Sequence, residues 1–301
     1  VSKAFTPRMI ERLRPRIREI ADELIGRVSA TGEMELVSEF AFPLPITVIA
    51  ELLGVPIADR ERFRQWSGAM VSPALAATEL EQADALLGAF VEYLLALFAE
   101  RRQQPGEDLV SALVAVEDGG DTLSEEELCS MVALLIVAGH ETTVSLIGNA
   151  TLALLTHPDQ RAAVELDPSL LPRAVEELIR YDGPVERTLN RWATEDVELG
   201  GQTIRRGETV IVILGAADRD ADRFAAPDTL DLAAQRDRHL GFGRGSHFCL
   251  GAPLARLEAE IALGTLLRLP GLRLAVSPDD VRWRPVPLFR SLVALPVAWD
   301  V

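Results

Sequence analysis

The sequence predicts a mainly α-helical protein with small β-sheets. Apolar residues recur at helical spacing over most of the chain, and one such segment, which starts at Ser124, continues for about 32 residues. Short β-branched stretches are confined to the region between residues 197 and 214 and to the C-terminal tail. Many helices and few short strands together indicate the mainly α class.

Composition limits the class of protein further. The 301 residues are 48% hydrophobic, and no linker rich in Ser, Gly or Pro divides them, so we expect a single domain over 1–301. The two cysteines, Cys129 and Cys249, exclude a disulfide framework and predict a cytoplasmic location. The longest apolar run, 131–139, is shorter than the roughly 20 residues of a membrane span. The net charge of −16 argues against nucleic acid as a partner.

The first part of the chain predicts amphipathic helices separated by breaks. A helical pattern runs from Ile10 to Val28 and ends at Gly32, and a buried apolar segment follows over 40–53. A long amphipathic helix is predicted over 79–102, and Pro105 follows it.

The longest predicted helix lies in the middle of the chain. Ser124 is a helix cap, Glu127 completes a capping box, and Pro158 ends the pattern. The stretch 131–138 is apolar on all faces, which predicts a central helix surrounded by protein.

Polar residues interrupt this apolar helix in the run Ala-Gly-His-Glu-Thr-Thr over 138–143. Such residues are costly inside a buried helix unless they are used or paired. Ala138 and Gly139 leave room for a ligand against the backbone, and Thr142 can bond back to a carbonyl. Two plain alternatives stay open: Glu141 as the partner of a structural Arg or Lys, and Thr142 as an ordinary back-bonded threonine. His140 is better explained as a structural residue than as a metal ligand.

The next segments predict one more helix and a hairpin. Glu177 and Arg180 lie three residues apart on a helix that follows Pro172 and can form an ion pair, which alone is a weak signal. The segments 197–199 and 202–204 flank a Gly-Gly turn and predict a hairpin, and 209–214 predicts a strand.

The most informative stretch is 241–251, which holds four glycines and Cys249 and precedes a predicted helix over 252–269. Its amides can converge on an anionic atom, and the following helix N-terminus favours a thiolate. A thiolate here would be a nucleophile, a redox thiol or a metal ligand, and a buried, inert cysteine is the remaining alternative.

The spacing in this stretch, F-x-x-G-x-x-x-C-x-G from Phe242 to Gly251, resembles the heme-binding loop of the cytochrome P450 family in its soluble bacterial form. The run at 138–143 and the pair E-x-x-R precede it in the family's order. The resemblance covers the whole chain and implies the cytochrome P450 fold. It also implies that the family's N-terminal segment is absent ahead of Val1.

The resemblance implies a role for each matching residue. Cys249 would be the axial ligand of heme b iron, which favours O–O cleavage. Thr142 would donate a hydrogen bond to bound dioxygen, and Glu141 would relay protons to it. Further heme contacts are implied for Phe242, Gly243, Gly251, Ala138 and Gly139, and propionate contacts for Arg191 and His247. Alternatives for the last two are an exposed strand arginine and a loop-capping histidine.

Two further sets follow from the same resemblance. Glu177, Arg180 and Arg223 would form a buried structural ion-pair cluster beneath the heme loop. The substrate would contact apolar residues, namely Leu134, Val137, Val185, Leu189 and Phe289.

These expectations favour a monomeric monooxygenase that inserts one atom of O2 into a hydrophobic small molecule, such as a polyketide or another secondary metabolite. The chain has too few cysteines for an iron–sulfur cluster of its own, so a ferredoxin-type electron donor is expected. The stretch 235–256 contains four arginines, at positions 236, 238, 244 and 256, but one acid, Asp237. This local positive charge indicates a docking patch for an acidic partner unless the arginines cluster by chance.

The main alternative is a non-catalytic heme-thiolate scaffold or an inactive fragment, against which Glu141 and Thr142 argue. A cysteine hydrolase using Cys249 and His247 fits poorly because no orienting Asp or Asn is evident. A zinc site is weaker still, since too few Cys and His cluster.

Overall fold

The computed structural model describes residues 7–60, 62–63, 65–66, 77–115, 117–118, 121–234, 236 and 238–301. Its α-helices are Pro7–Arg12 (α1), Arg14–Val28 (α2), Pro43–Leu52 (α3), Ala77–Gln103 (α4), Leu109–Val114 (α5), Glu125–Thr156 (α6), Pro158–Leu166 (α7), Leu171–Asp182 (α8), Leu214–Ala217 (α9) and Ala252–Leu266 (α10). Its strands are Glu33–Glu35 (β1), Glu117–Asp118 (β2), Asp121–Thr122 (β3), Arg191–Trp192 (β4), Val197–Leu199 (β5), Gln202–Ile204 (β6), Thr209–Val210 (β7), Arg273–Leu274 (β8) and Pro296–Ala298 (β9). The predicted class, mainly α with small β-sheets, is confirmed.

Helix α6 is 32 residues long and begins as the sequence predicts. The Ser124 hydroxyl accepts the Glu127 N–H at 3.2 Å, and the Glu127 carboxylate accepts the Ser124 N–H at 2.8 Å. This reciprocal pair satisfies two N–H groups that the helix itself leaves unbonded. The end before Pro158 is also confirmed.

The expectation that protein surrounds α6 on all sides is wrong for one stripe of the helix. Leu134 is 60% exposed, and Ala138, four residues later on the same face, is exposed as well. Apolar residues suit a helix face that packs against the core and equally a face that lines a ligand site, so the sequence does not distinguish the two. This stripe is therefore available to a ligand.

The other helices pack around α6. Helices α3, α8 and α10 contact it, and α2 lies against α10. The larger core cluster joins α2, α3, α4 and the first half of α6, and a second cluster forms where the end of α6 meets α8 and α10. Helix α6 is also the one described helix long and apolar enough to span a membrane, and more than half of its apolar stretch is buried in the protein. A helix in a protein core can have the same length and composition.

The sheets are small. Strand β9 pairs with both β1 and β8 in an antiparallel sheet, with Glu33 opposite Ala298. The hairpin β5–β6 is confirmed, and its turn residues Gly200 and Gly201 have φ of 57° and 76°, which glycine adopts without strain.

The strand predicted over 209–214 is shorter than expected. Regular pairing covers only β7, which lies against β4, and Ile213 then pairs with Arg187 in an isolated bridge. Helix α9 begins at Leu214, since Leu and Ala favour helix over strand.

Candidate functional site

The loop around Cys249 folds back on itself and rests on α8. Gly243 has φ of 69°, and a Cβ at Gly241 would overlap the side chain of Ile179. The Cys249 N–H donates to the Phe242 carbonyl at 2.9 Å, which closes the loop just before α10 starts. The glycines therefore allow the turn and the close approach that place Cys249, an exposed residue, at the N-terminus of a buried helix.

The electrostatic setting of Cys249 differs from the sequence expectation. Although Cys249 is accessible, the protein around its sulfur excludes part of the water, and this desolvation raises the pKa of the thiol; the N–H groups of Gly251 and Ala252 and the charge of Arg256 lower it only in part. The helix N-terminus favours a thiolate, as the sequence predicts, but desolvation outweighs it. A bound cation would reverse the balance, since metal coordination deprotonates a thiol.

The second part of the site lies on α6. Thr142 donates its hydroxyl proton to the Ala138 carbonyl at 2.6 Å, which confirms the predicted back-bond. Thr143 does the same toward Gly139 at 3.0 Å, and the helix stays continuous. A Cβ at Gly139 would touch only the tip of Ile49 at 3.9 Å, so packing does not require glycine there.

Glu141 is paired, as one of the alternatives had it. Arg284 Nη1 donates to Glu141 Oε1 at 3.0 Å. Burial raises the pKa of Glu141, and Arg284 opposes this shift. The Glu141 side chain is 8% exposed but that of Arg284 is 42% exposed, so the arginine links a buried carboxylate to solvent.

His140 is enclosed in the core. Its ring stands edge-on to Phe42 with centroids 4.4 Å apart, and a hydrogen bond to the Phe42 backbone opposes the effect of burial on its pKa. Burial lowers the pKa of His140 to about 4, so the ring is neutral near pH 7. The placement agrees with a structural residue.

The ion pair of α8 is confirmed, but its predicted third member is wrong. Arg180 Nε donates to Glu177 Oε2 at 2.7 Å, and both side chains are at most 5% exposed. The third member is Arg236, whose Nε lies 3.0 Å from Glu177 Oε2. Arg223 lies on the exposed surface instead. Its neighbour Phe224 enters the core and lies 5.5 Å below the Arg180 guanidinium, so the segment has the expected position while its arginine points elsewhere.

The remaining expected cofactor contacts are accessible side chains on short elements. Arg191 is exposed on β4, and His247 is exposed in the 3₁₀ turn of residues 245–247. Among the expected substrate contacts, the structure joins Val185 and Phe289 in an isolated antiparallel bridge. Leu189 is 74% exposed and Val137 is half-buried.

The structure adds two charged residues that the sequence analysis did not single out, and it gives a third a different role. Glu258 of α10 is 1% exposed and contacts the Thr143 hydroxyl, and Arg284 binds Glu141. Arg236, expected in a docking patch, binds Glu177. Glu258 had a detectable signal, because it is an acid among the buried positions of a helix. No sequence signal indicated the contacts of Arg284 and Arg236, since these contacts join distant parts of the chain.

The basic stretch is only partly a surface patch. Arg236 and Arg256 bind Glu177 and Glu176 of α8, whereas Arg238 and Arg244 are exposed. Asp237, the acid of this stretch, lies outside the described residues. The solvent-facing positive charge is therefore smaller than the sequence count.

Comparisons with known proteins agree on one family. A sequence model described as Cytochrome P450 matches residues 168–289. The chain is 52% identical over 298 residues to Cytochrome P450 107B1 of Saccharopolyspora erythraea, an alignment that covers 99% of this chain and 73% of the relative. It is 49% identical over 303 residues to Cytochrome P450 monooxygenase PikC of Streptomyces venezuelae, covering 99% of this chain and 72% of the relative. Among solved structures, the Bacillus subtilis bacillaene polyketide synthase cytochrome P450 PksS superposes with a TM-score of 0.95 at 44% identity, covering 100% of this chain and 77% of that chain.

Proposed function

Since this chain belongs to the cytochrome P450 family of monooxygenases, whose members bind heme b through a cysteine thiolate, we propose that Cys249 is the ligand of that heme. The observation that carries the proposal is the position of Cys249. It is exposed at the end of a closed glycine loop, directly before a buried helix that packs against α6. A thiol held this way is presented to a ligand and is not a core residue.

The residues present fit a flat, thiolate-ligated group. The loop offers a sulfur donor beside backbone of low bulk, and the stripe of Leu134 and Ala138 on α6 is apolar and open. Arg191 and His247 are exposed and suit carboxylates such as the heme propionates. When bound, the heme supplies the reductive activation of O2, and the protein supplies orientation, protons and exclusion of water.

Thr142 and Glu141 are the proposed proton-handling residues. Thr142 is the proposed donor of a hydrogen bond to dioxygen; its hydroxyl has one proton, which the Ala138 carbonyl accepts here, so this role requires the hydroxyl to turn from that carbonyl toward the open side of α6. Glu141 has a raised pKa and is tied to the half-exposed Arg284, which suits a carboxyl that takes up protons from solvent and passes them inward.

The proposed substrate is a sizeable hydrophobic molecule of the polyketide or secondary-metabolite class. The expected contacts, Leu134, Val137, Val185, Leu189 and Phe289, are all apolar. Two of the relatives are named 6-deoxyerythronolide B hydroxylase and Mycinamicin IV hydroxylase/epoxidase, at 46% and 47% identity, which supports this class. We further propose that the enzyme acts as a cytoplasmic monomer of one domain that receives electrons from a ferredoxin-type protein.

The test is the absorption spectrum of the heme-loaded protein, reduced with dithionite and exposed to carbon monoxide. The parent should show the strongly red-shifted Soret band of thiolate ligation, and Cys249→Ala should lose it. Cys129→Ala is the matched control, because Cys129 is a half-buried thiol near the start of α6 and should keep the band. A red-shifted band in Cys249→Ala would overturn the assignment.

A further inference from the structure

Glu176 of α8 binds side chains from two other parts of the chain. Arg256 of α10 donates from Nε to Oε1 at 2.6 Å and from Nη2 to Oε2 at 2.9 Å. His239 Nε2 lies 3.2 Å from Oε2. Burial raises the pKa of Glu176, but the bonds from His239 and Arg256 outweigh it and bring the pKa to about 2. The Glu176 carboxylate is thus ionised, and both of its oxygens accept hydrogen bonds. Its neighbour Glu177 binds other arginines, Arg180 and Arg236.

Both partners of Glu176 lie against Phe242 in the cysteine loop. The Arg256 guanidinium is 4.4 Å from the Phe242 ring centroid, and the His239 ring is 5.7 Å from it. An arginine above an aromatic face is attracted by the ring electrons. His239 Nδ1 also accepts the Gly241 N–H at 3.1 Å, which fixes the proton on Nε2, facing Glu176.

Phe242 in turn holds Cys249. Its carbonyl accepts the Cys249 N–H at 2.9 Å, so a displacement of Phe242 displaces the backbone of the cysteine. We name Glu176, His239, Arg256 and Phe242 the Glu176 clamp.

We propose that Glu176 is a positioning residue that keeps the Cys249 loop in the geometry required for thiolate ligation of the heme. The inference rests on the proposed role of Cys249. A carboxylate can accept from Arg256 and His239 at once, whereas an amide offers one acceptor oxygen and two donors. Glu176→Gln therefore breaks at least one arm of the clamp, and the freed arginine regains its rotamer freedom.

A second reading of the same contacts is a plain ion pair between α8 and α10. That role would change stability, but it would not change which form of Cys249 binds the heme in protein that remains folded. The two readings are separated by the spectrum of the folded, heme-loaded protein.

The experiment compares heme-loaded Glu176→Gln with Glu165→Gln, which removes a carboxylate that binds Arg161 on α7. Heme content and far-UV circular dichroism establish that each variant is folded, and the ferrous carbon monoxide spectrum gives the fraction of red-shifted Soret band. We expect a severalfold larger unshifted fraction in Glu176→Gln at unchanged helix content, and the parent spectrum in Glu165→Gln. Arg256→Lys, which keeps the charge but loses the fork and much of the stacking, should be intermediate and serves if Glu176→Gln does not fold.

The parent fraction in folded Glu176→Gln, or in Arg256→Lys where the first variant does not fold, would overturn the proposal. A loss of helix content in proportion to the loss of the red-shifted band would also overturn it. If the parent itself showed no red-shifted band, the failure would lie with the proposed role of Cys249.

Discussion

Glu258 is an acid buried on the helix that follows the candidate ligand. It is 1% exposed, and burial raises its pKa to about 8, with the Thr143 hydroxyl acting in the opposite direction. In an unfolded chain a glutamate titrates near 4.3. The folded protein therefore holds this proton more tightly than the unfolded chain does, and the carboxyl is neutral at pH 7.

This difference predicts a pH-dependent stability. Between about pH 4.5 and pH 8 the native state binds more protons than the unfolded state, so the free energy of unfolding falls as the pH rises, by up to about 1.4 kcal/mol per pH unit. Glu258→Gln removes the ionisable group while it keeps the size, and it should flatten this slope and stabilise the protein at pH 9. Urea midpoints of parent and variant at pH 6 and pH 9 measure the effect. Equal slopes in the two proteins would show that Glu258 is ionised in the fold.

Helix α8 is fixed by ion pairs that its own sequence reveals only in part. The i, i+3 spacing of Glu177 and Arg180 predicts their contact, because it depends on the helix alone. Arg236 contacts Glu177 although 59 residues separate them in the sequence. The family pattern indicated a different arginine, Arg223. The path of the segment after α9 decides which of the two arginines contacts Glu177.

Loss of Arg236 should therefore destabilise the protein more than loss of Arg223. Arg236→Gln leaves the buried Glu177 carboxylate with Arg180 but without its second arginine, and it should cost about 1–3 kcal/mol of unfolding free energy. Arg223→Gln changes an exposed side chain and should cost clearly less. Thermal or urea unfolding of the two variants makes the comparison. A larger loss from Arg223→Gln would return the third place in the cluster to that residue.

Other features also divide into those decided by neighbouring residues, which the sequence predicts, and those decided by distant parts of the chain, which it does not. The capping box of α6 and the Gly-Gly hairpin turn were predictable, since each is decided within a few residues. The order of three motifs was sufficient for the family and the fold. The open stripe at Leu134, the pairing of Glu141 with Arg284 and the desolvation of Cys249 depend on which elements pack nearby. Periodicity carries no information on those neighbours.

At the scale of the whole molecule, the charge distribution bears on the proposed electron donor. The chain carries −16 overall, yet Arg238 and Arg244 are exposed beside the cysteine loop. A local positive region on an acidic protein steers an acidic partner toward that face and slows association elsewhere.

We therefore expect reduction by an acidic ferredoxin to slow as salt is raised, because the Debye length falls from about 30 Å at 0.01 M to about 10 Å at 0.1 M. The double change Arg238→Glu with Arg244→Glu should slow reduction severalfold at low salt and flatten the salt dependence. Arg18→Glu with Arg27→Glu makes the same change in net charge on exposed arginines of α2 and is the control. Stopped-flow reduction rates under carbon monoxide give the comparison. An equal loss in both variants would assign the effect to net charge, and the cysteine face would then have no special part in docking.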